Sequence, residues 1–154
     1  RINDLRQALI DKSPNMLIFV GHGSESGSLA FVSERATRHL ATPEAIAGLL
    51  SIFDQTLTCV VLSACYSNEQ AKAIHNHIDF VVGTDNAVHQ DNAKAFTEAF
   101  VQAIAGGMSF NNACKLGSNA ILFSDNPGNT DWFALIRKSA KENANKPFIN
   151  IMKS

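Results

Sequence analysis

The chain has 154 residues, of which 45% are hydrophobic and 18% are charged, and its formal net charge at pH 7 is −1. This length suits one domain with one core, and the apolar content argues against an intrinsically disordered chain. The sequence has no long basic run of the kind that would indicate direct binding of nucleic acid. No apolar run reaches the roughly 18 residues that a membrane-spanning helix needs.

Cysteine usage indicates a reducing compartment. The three cysteines, Cys59, Cys65 and Cys114, are odd in number and lack CxxC spacing. We therefore expect no disulfide framework and a cytoplasmic location. The sequence starts at Arg1 without an initiator Met or a signal segment, so we expect a single domain over residues 1–154 that is the C-terminal piece of a longer chain.

The first predicted elements are a helix and a buried strand. Residues 3–10, NDLRQALI, are typical of the end of a helix, which Pro14 interrupts. Residues 16–20, MLIFV, form a short apolar run, which predicts a strand buried on both faces. The segment Gly21-His22-Gly23 ends this strand sharply.

A polar segment and a second helix follow. Residues 24–41 are polar and irregular, with a hairpin around LAFV as one alternative. Thr42 is a typical helix cap and Pro43 suits the first helical position, so a helix is predicted to run to about Phe53.

Two further buried strands flank a third predicted helix. Residues 57–63, LTCVVLS, and 80–84, FVVGT, are apolar runs that predict strands. The segment Ser67-Asn68-Glu69-Gln70 matches the S-x-x-Q capping box, which predicts a helix from just after Cys65 to about His75.

The last third of the chain is predicted to begin with two helices. Apolar residues recur at helical spacing over residues 92–105, and Ser109 is predicted to cap another helix that runs to about Leu122. Residues 131–138 fit either a helix or a strand, and residues 147–152, PFINIM, predict a late strand.

The alternation of strands and helices predicts the fold class. Strands that read as continuous apolar runs between helices favour a parallel sheet with helices on both faces, a three-layer α/β fold. In such sheets, sites form outside the carboxyl ends of the strands. His22 follows the first predicted strand and Cys65 follows the second, so both occupy such positions.

This placement meets the requirements of a nucleophilic cysteine. The thiol needs a base, which His22 supplies, and the oxyanion needs donors, which the unpaired N–H groups of the helix start after Cys65 supply. Gly21 and Gly23 allow a substrate backbone to come close. The alternative is that Cys65 is a small buried residue and His22 a loop residue, and the pattern alone leaves both interpretations open.

Two segments, MLIFVGHG at 16–23 and VVLSACYS at 60–67, resemble the caspase-like cysteine peptidases. The resemblance is closer to the CHAT domains, a branch often joined to tetratricopeptide repeats or other sensor modules. It runs from about Asn3 to Ile121 and looks most like the bacterial CHAT proteins of antiviral defence systems.

The resemblance implies roles for individual residues. His22 would be the general base and Cys65 the nucleophile, and the N–H groups of Gly23 and Cys65 would line the oxyanion hole. Ser67 and the segment after the third strand would shape the substrate-binding pocket for the residue before the cut.

Loop carboxylates are the candidates for specificity. A negative charge from Asp85, Asp91 or Glu25 would favour a basic residue at the cleavage site. Asp91 lies in the segment that forms the pocket in the resembling family. The alternative for each of the three is a solvated loop carboxylate.

The sequence departs from the family in one respect. Two strands and a helix normally precede the segment that begins here with NDLRQAL, and they are missing from this sequence. The expected fold is therefore a caspase-like three-layer fold that lacks its N-terminal strands, unless another segment or chain supplies them.

The expected function is that of a cysteine endopeptidase that cleaves a protein substrate with a His22–Cys65 dyad. No metal and no organic cofactor is expected. The resemblance implies that a regulatory sensor or repeat domain, in the same or a neighbouring chain, activates it. The alternative is a catalytically inert caspase-like scaffold that works by protein interaction.

Overall fold

The computed structural model describes residues 1–32, 35–128 and 131–153. In these ranges the chain alternates between strands and helices. The elements in chain order are helix α1 (Ile2–Lys12), strands β1 (Met16–Val20), β2 (Leu29–Val32) and β3 (Arg38–Ala41), helix α2 (Pro43–Ser51), strand β4 (Cys59–Ser63), helix α3 (Asn68–His75), strand β5 (Phe80–Thr84), helices α4 (Gln90–Ala105) and α5 (Phe110–Ile121), strand β6 (Trp132–Ile136), and two 3-10 helices (Lys138–Asn145 and Phe148–Asn150).

A four-stranded sheet in the order β1-β4-β5-β6 forms the centre of the fold. β1, β4 and β5 are parallel, whereas β6 is antiparallel to β5. β2 and β3 form a separate antiparallel hairpin. These findings confirm the predicted α/β class, the mostly parallel sheet and the hairpin around LAFV. Residues 33 and 34 of the predicted irregular segment lie outside the described ranges.

Helices cover both faces of the sheet because the inner strands are apolar on both sides. Successive strand residues point to opposite faces. Val60 and Leu62 of β4 therefore pack with α1, α2 and α3, whereas Cys59 and Val61 pack with α4 and α5. The largest buried side chains are aliphatic on the first face (Leu9, Leu50, Ile74) and aromatic on the second (Phe96, Phe100, Phe110, Phe148).

The first strand is less buried than its sequence predicts. In the described part of the chain, β1 pairs with β4 alone and lies at the edge of the sheet. Its first four residues are only partly buried, and Val20 is 70% exposed. The predicted strand is confirmed and its side chains pack on both faces, Leu17 and Phe19 on one and Met16 and Ile18 on the other, but its burial is only partial because the outer edge of the strand has no neighbour in the described sheet.

Two of the predicted helix caps are confirmed. The Thr42 hydroxyl accepts a hydrogen bond from the N–H of Ala45 (3.3 Å), and the Ser109 hydroxyl accepts one from the N–H of Asn112 (3.2 Å). Each bond satisfies a donor that has no partner within the helix.

The helix predicted from just after Cys65 to about His75 is confirmed as α3, but the capping box at Ser67 is wrong. The Ser67 side chain is fully buried, accepts a hydrogen bond from the N–H of Thr84 (3.0 Å) and donates one to the carbonyl of Leu62 (3.4 Å). Gln70 donates instead to the carbonyl of Ala41 (3.1 Å). Because the turn before α3 lies close to the end of β5, the Ser67 hydroxyl bonds to the main chain of the strands and not to the first turn of the helix.

The C-terminal region differs from its prediction in one place. Residues 131–138 were open between helix and strand, and β6 is a strand because it pairs along the whole length of β5. The late strand predicted over 147–152 is wrong, since Phe148–Asn150 is a 3-10 helix. Phe148 is buried against Phe80, with ring centroids 6.3 Å apart, whereas Ile149 is 63% exposed. Only Phe148 of this short helix is buried, so the segment lacks the alternation of buried and exposed side chains that a strand would show.

Candidate functional site

The register of the sheet brings His22 and Cys65 to the same place. Val20 of β1 pairs with Ser63 of β4, and the N–H of Gly21 donates to the carbonyl of Ser63 (3.4 Å). His22 comes two residues after Val20, and Cys65 comes two residues after Ser63. Because the two strands are parallel, both residues lie beyond the carboxyl edge of the sheet, as predicted.

Gly23 lies directly against the main chain of Cys65. A Cβ atom placed on Gly23 would overlap the carbonyl oxygen of Cys65 and lie 3.0 Å from its carbonyl carbon. The loop after β1 and the turn after β4 therefore touch backbone to backbone, which only glycine permits at this position.

The turn that carries Cys65 is fixed to the end of β5. Tyr66 has a φ of 51°, in the left-handed region that costs a non-glycine residue roughly 1 kcal/mol. This conformation accompanies two hydrogen bonds, from the N–H of Tyr66 to the carbonyl of Asn86 (3.2 Å) and from the N–H of Ser67 to the carbonyl of Thr84 (2.9 Å). The strained residue next to Cys65 is thus held by the surrounding structure.

The thiol of Cys65 contacts the connection between β5 and α4. Its sulfur accepts a hydrogen bond from the N–H of Val88 (3.2 Å) and lies 3.5 Å from the carbonyl oxygen of Val88. Cys65 is half-buried and His22 is exposed. In the part of the chain that the structure describes, no hydrogen bond joins the imidazole to the thiol. Dyads without substrate often have such loose geometry.

Two main-chain donors beside the thiol are uncommitted. Gly23 pairs with Leu29 in an isolated antiparallel bridge whose hydrogen bonds use the flanking residues, namely His22 O with Ala30 N–H and Ser24 N–H with Ser28 O. Within the described residues, no hydrogen bond of the fold uses the N–H of Gly23 or of Cys65. Both N–H groups are therefore without a partner in the described fold.

A cavity of about 670 Å³ opens at this edge of the sheet. Three segments at the ends of β1, β4 and β5 and one face of α4 line it. The lining residues are Val20, Gly21, His22, Ser63, Ala64, Cys65, Val88, Gln90, Asp91, Ala93, Lys94, Thr97 and Glu98.

The predicted specificity residues fall into two groups. Asp91 lines the cavity and is 56% exposed. Its N–H donates to Nδ1 of His89 (3.2 Å), the residue that caps α4. Asp85 and Glu25 are exposed but lie outside the lining, and the fully buried Ser67 acts on the site only by holding the Cys65 turn.

Sequence reasoning missed the wall of the cavity that α4 provides. Gln90, Lys94, Thr97 and Glu98 are spaced so that they share one helix face. Thr97 donates to the hydroxyl of Ser63 (3.2 Å), which attaches this face to the end of β4. The polar residues at helical spacing opposite the apolar stripe were a signal for an exposed face, but not for its contact with the strand ends.

The other two cysteines are poor nucleophiles. Burial raises the pKa of Cys59 well above its usual range, with a smaller contribution from Cys114. Burial also raises the pKa of Cys114 to about 12. At neutral pH both therefore remain thiols, the unreactive form.

We expect a limiting dose of iodoacetamide at neutral pH to label Cys65 ahead of Cys59 and Cys114. The reagent can reach Cys65, which lines the open cavity, whereas burial limits access to the other two thiols and raises their pKa. Peptide mapping by mass spectrometry measures the order. Labelling of Cys114 first would remove the basis for treating Cys65 as the reactive residue.

Comparisons with known proteins add no assignment: no family model matches the chain, and no curated protein matches it. Among the described helices, none combines the length and the apolar character that crossing a membrane requires.

Proposed function

We propose that this protein is a cysteine endopeptidase of the caspase-like, CHAT type, with His22 and Cys65 as its catalytic dyad. One observation carries the proposal. The loop of His22 and the turn of Cys65 touch at Gly23, and both side chains line the same cavity of about 670 Å³. The base His22 and the thiol residue Cys65 then adjoin one space large enough for a peptide side chain, whereas Gly23 lies outside its lining, behind the Cys65 main chain.

The reaction follows from these groups. The imidazole of His22 takes the proton of the Cys65 thiol, and the sulfur attacks the carbonyl carbon of the peptide bond. The C–S bond forms while the carbonyl π electrons move to the oxygen, which the N–H groups of Gly23 and Cys65 stabilise. Collapse breaks the C–N bond, and the imidazolium gives its proton to the leaving amine. Water then hydrolyses the thioester.

The substrate class is a protein with a basic residue before the cut. The cavity has two carboxylates, Asp91 and Glu98, and one ammonium group, Lys94, whose Nζ lies 3.8 Å from a Glu98 carboxylate oxygen. Within the described residues Asp91 has no ammonium or guanidinium partner, and its basic neighbour is Nδ1 of His89 at 3.5 Å, a nitrogen that accepts from the Asp91 N–H. A guanidinium pairs with a carboxylate through two parallel hydrogen bonds, so we expect Arg to be preferred over Lys.

Changing Asp91 to Asn should weaken cleavage after Arg and Lys selectively. The carboxylate is more than half exposed, so solvent screens the pair and the loss should be about 0.5–1 kcal/mol, or roughly 2- to 5-fold in kcat/KM. Fluorogenic peptides that differ only at this residue measure it. Asp85→Asn is the matched control. Because Asp85 lies outside the cavity lining, this substitution should leave kcat/KM unchanged for both the Arg and the Lys peptide.

A positional-scanning peptide library tests the pocket more generally. Selection of Asp or of an apolar residue before the cut would contradict the assignment of Asp91 but leave the dyad chemistry intact. Equal losses on all substrates in Asp91→Asn would instead point to a structural effect on the start of α4.

A second candidate function is an inert caspase-like scaffold that acts by protein interaction. The observation that favours it is the absence, among the described residues, of a hydrogen bond between His22 and the Cys65 thiol. An acyloxymethyl ketone that carries Arg separates the two candidates, because its reaction needs a functional dyad and not only an accessible thiol. Labelling by iodoacetamide but not by this probe would favour the scaffold.

The resemblance supports the remaining parts of the proposal. We place the enzyme in the cytoplasm of a bacterium, in an antiviral defence system, with a sensor or repeat domain as its activator.

A further inference from the structure

The sulfur of Cys65 is held by one residue that the proposed mechanism does not use. Val88 offers both of its main-chain groups to this sulfur, the N–H at 3.2 Å and the carbonyl oxygen at 3.5 Å. The described structure gives the thiol no other hydrogen-bond partner. The contact is therefore specific to the connection between β5 and α4.

The two contacts suit the two states of the sulfur. A thiol has one S–H donor, which the Val88 carbonyl accepts. A thiolate has no donor but is a strong acceptor, and a hydrogen bond to an ionised group is roughly twice as strong as a neutral one. Loss of the proton therefore exchanges a weak S–H···O bond for a strengthened N–H···S bond to the same residue.

The position of Val88 is itself fixed. The carbonyl of Asn86 accepts from the N–H of Tyr66 (3.2 Å), and the N–H of Asn86 donates to the hydroxyl of Thr84 (3.3 Å). These bonds attach the connection to the Cys65 turn on one side. On the other side it continues through His89, the cap of α4, to Asp91.

We propose that the main-chain N–H of Val88 is a further catalytic group, which holds the Cys65 sulfur as a thiolate once His22 has taken its proton. The proton moves from sulfur to the imidazole, and the N–H of Val88 keeps its own proton and donates a hydrogen bond. Because Val88 and Asp91 belong to one short segment, a side chain seated against Asp91 acts on the group that holds the nucleophile. This role rests on the proposed peptidase function.

The experiment removes one hydrogen-bond donor, the N–H of Val88. Incorporation of the α-hydroxy acid analogue of valine at position 88 replaces the N–H by an ester oxygen and keeps the side chain and the carbonyl. The matched control is the α-hydroxy acid analogue of alanine at position 87, an exposed residue outside the cavity lining whose N–H makes no hydrogen bond within the described residues. The rate constant for iodoacetamide at Cys65 is measured by peptide mapping across pH in both variants.

The ester at position 88 should react about tenfold more slowly than the unmodified chain at about pH 7, the loss expected for one hydrogen bond to an ionised group. At a high pH, on the plateau where the rate of each variant no longer rises with pH, the ester at position 88 should no longer be slower. The ester at position 87 should stay within about twofold of the unmodified chain throughout. An unchanged rate at neutral pH, or an equal loss at both pH values, would overturn the proposal.

Hydrolysis of an Arg-containing peptide is measured on the same samples. A parallel loss in kcat supports the catalytic role. If the unmodified chain cleaves no peptide but the alkylation rates still differ as expected, the peptidase assignment fails and the interaction between Val88 and the Cys65 sulfur stands.

Discussion

Replacing Cys65 with Ala should lower kcat/KM for peptide hydrolysis by at least about 10⁴-fold, to the level of the assay background. The variant retains the cavity and the oxyanion donors but has no atom that can form the thioester. Progress curves with a fluorogenic Arg peptide measure the loss. Cys114→Ala is the control, because Cys114 lies on α5 outside the cavity lining and should retain near-normal activity.

His22→Ala should give a loss of similar size, and the double variant should be no worse than either single one. Groups that act as one unit give such non-additive losses, since removing either member disables the whole step. Activity that persists in Cys65→Ala would contradict the dyad. Losses that multiply in the double variant would show that the two residues act separately.

Replacing Gly23 with Ala should be the most destabilising small substitution at the site. The added methyl group would overlap the carbonyl oxygen of Cys65, a main-chain atom that no change of side-chain rotamer can move. We expect a loss of about 2–4 kcal/mol in the free energy of unfolding, and a fall in Tm of roughly 5–15 °C. Thermal denaturation followed by circular dichroism measures it.

Gly48→Ala is the matched control for this substitution. Gly48 lies in α2, and nothing is within 4 Å of a Cβ built there. The same added methyl group should therefore be neutral or stabilise the protein by up to about 1 kcal/mol, the helix propensity difference between Gly and Ala. If Gly23→Ala melted like the unmodified protein and labelled equally at Cys65, the two loops would not be in the tight contact described here.

Local signals predicted the elements well where a residue and its partner are close in sequence. Thr42 and Ser109 cap their helices as expected, because each bonds to an N–H three residues later. Ser67 has the same local pattern but bonds to Thr84, which is 17 residues away. A capping box describes only the helix, and it contains no information about a neighbouring strand that competes for the hydroxyl.

The burial of strands shows the same division. The apolar runs of β1 and β4 look alike in sequence, yet β4 is fully buried and β1 is partly exposed. What differs is the number of neighbouring strands, which depends on the order in the sheet. The antiparallel β6 likewise became a strand because β5 offered it an unpaired edge.

For the site, the sequence by itself determined which two residues stand at the ends of parallel strands, since the period of apolar runs and the glycines around His22 are local properties. Only the tertiary structure decided what surrounds them. The register of β1 against β4 brought His22 level with Cys65, and packing of α4 on the strand ends added Lys94, Thr97 and Glu98 to the cavity. Contacts between distant segments depend on how helices and strands pack together, so no local pattern encodes them.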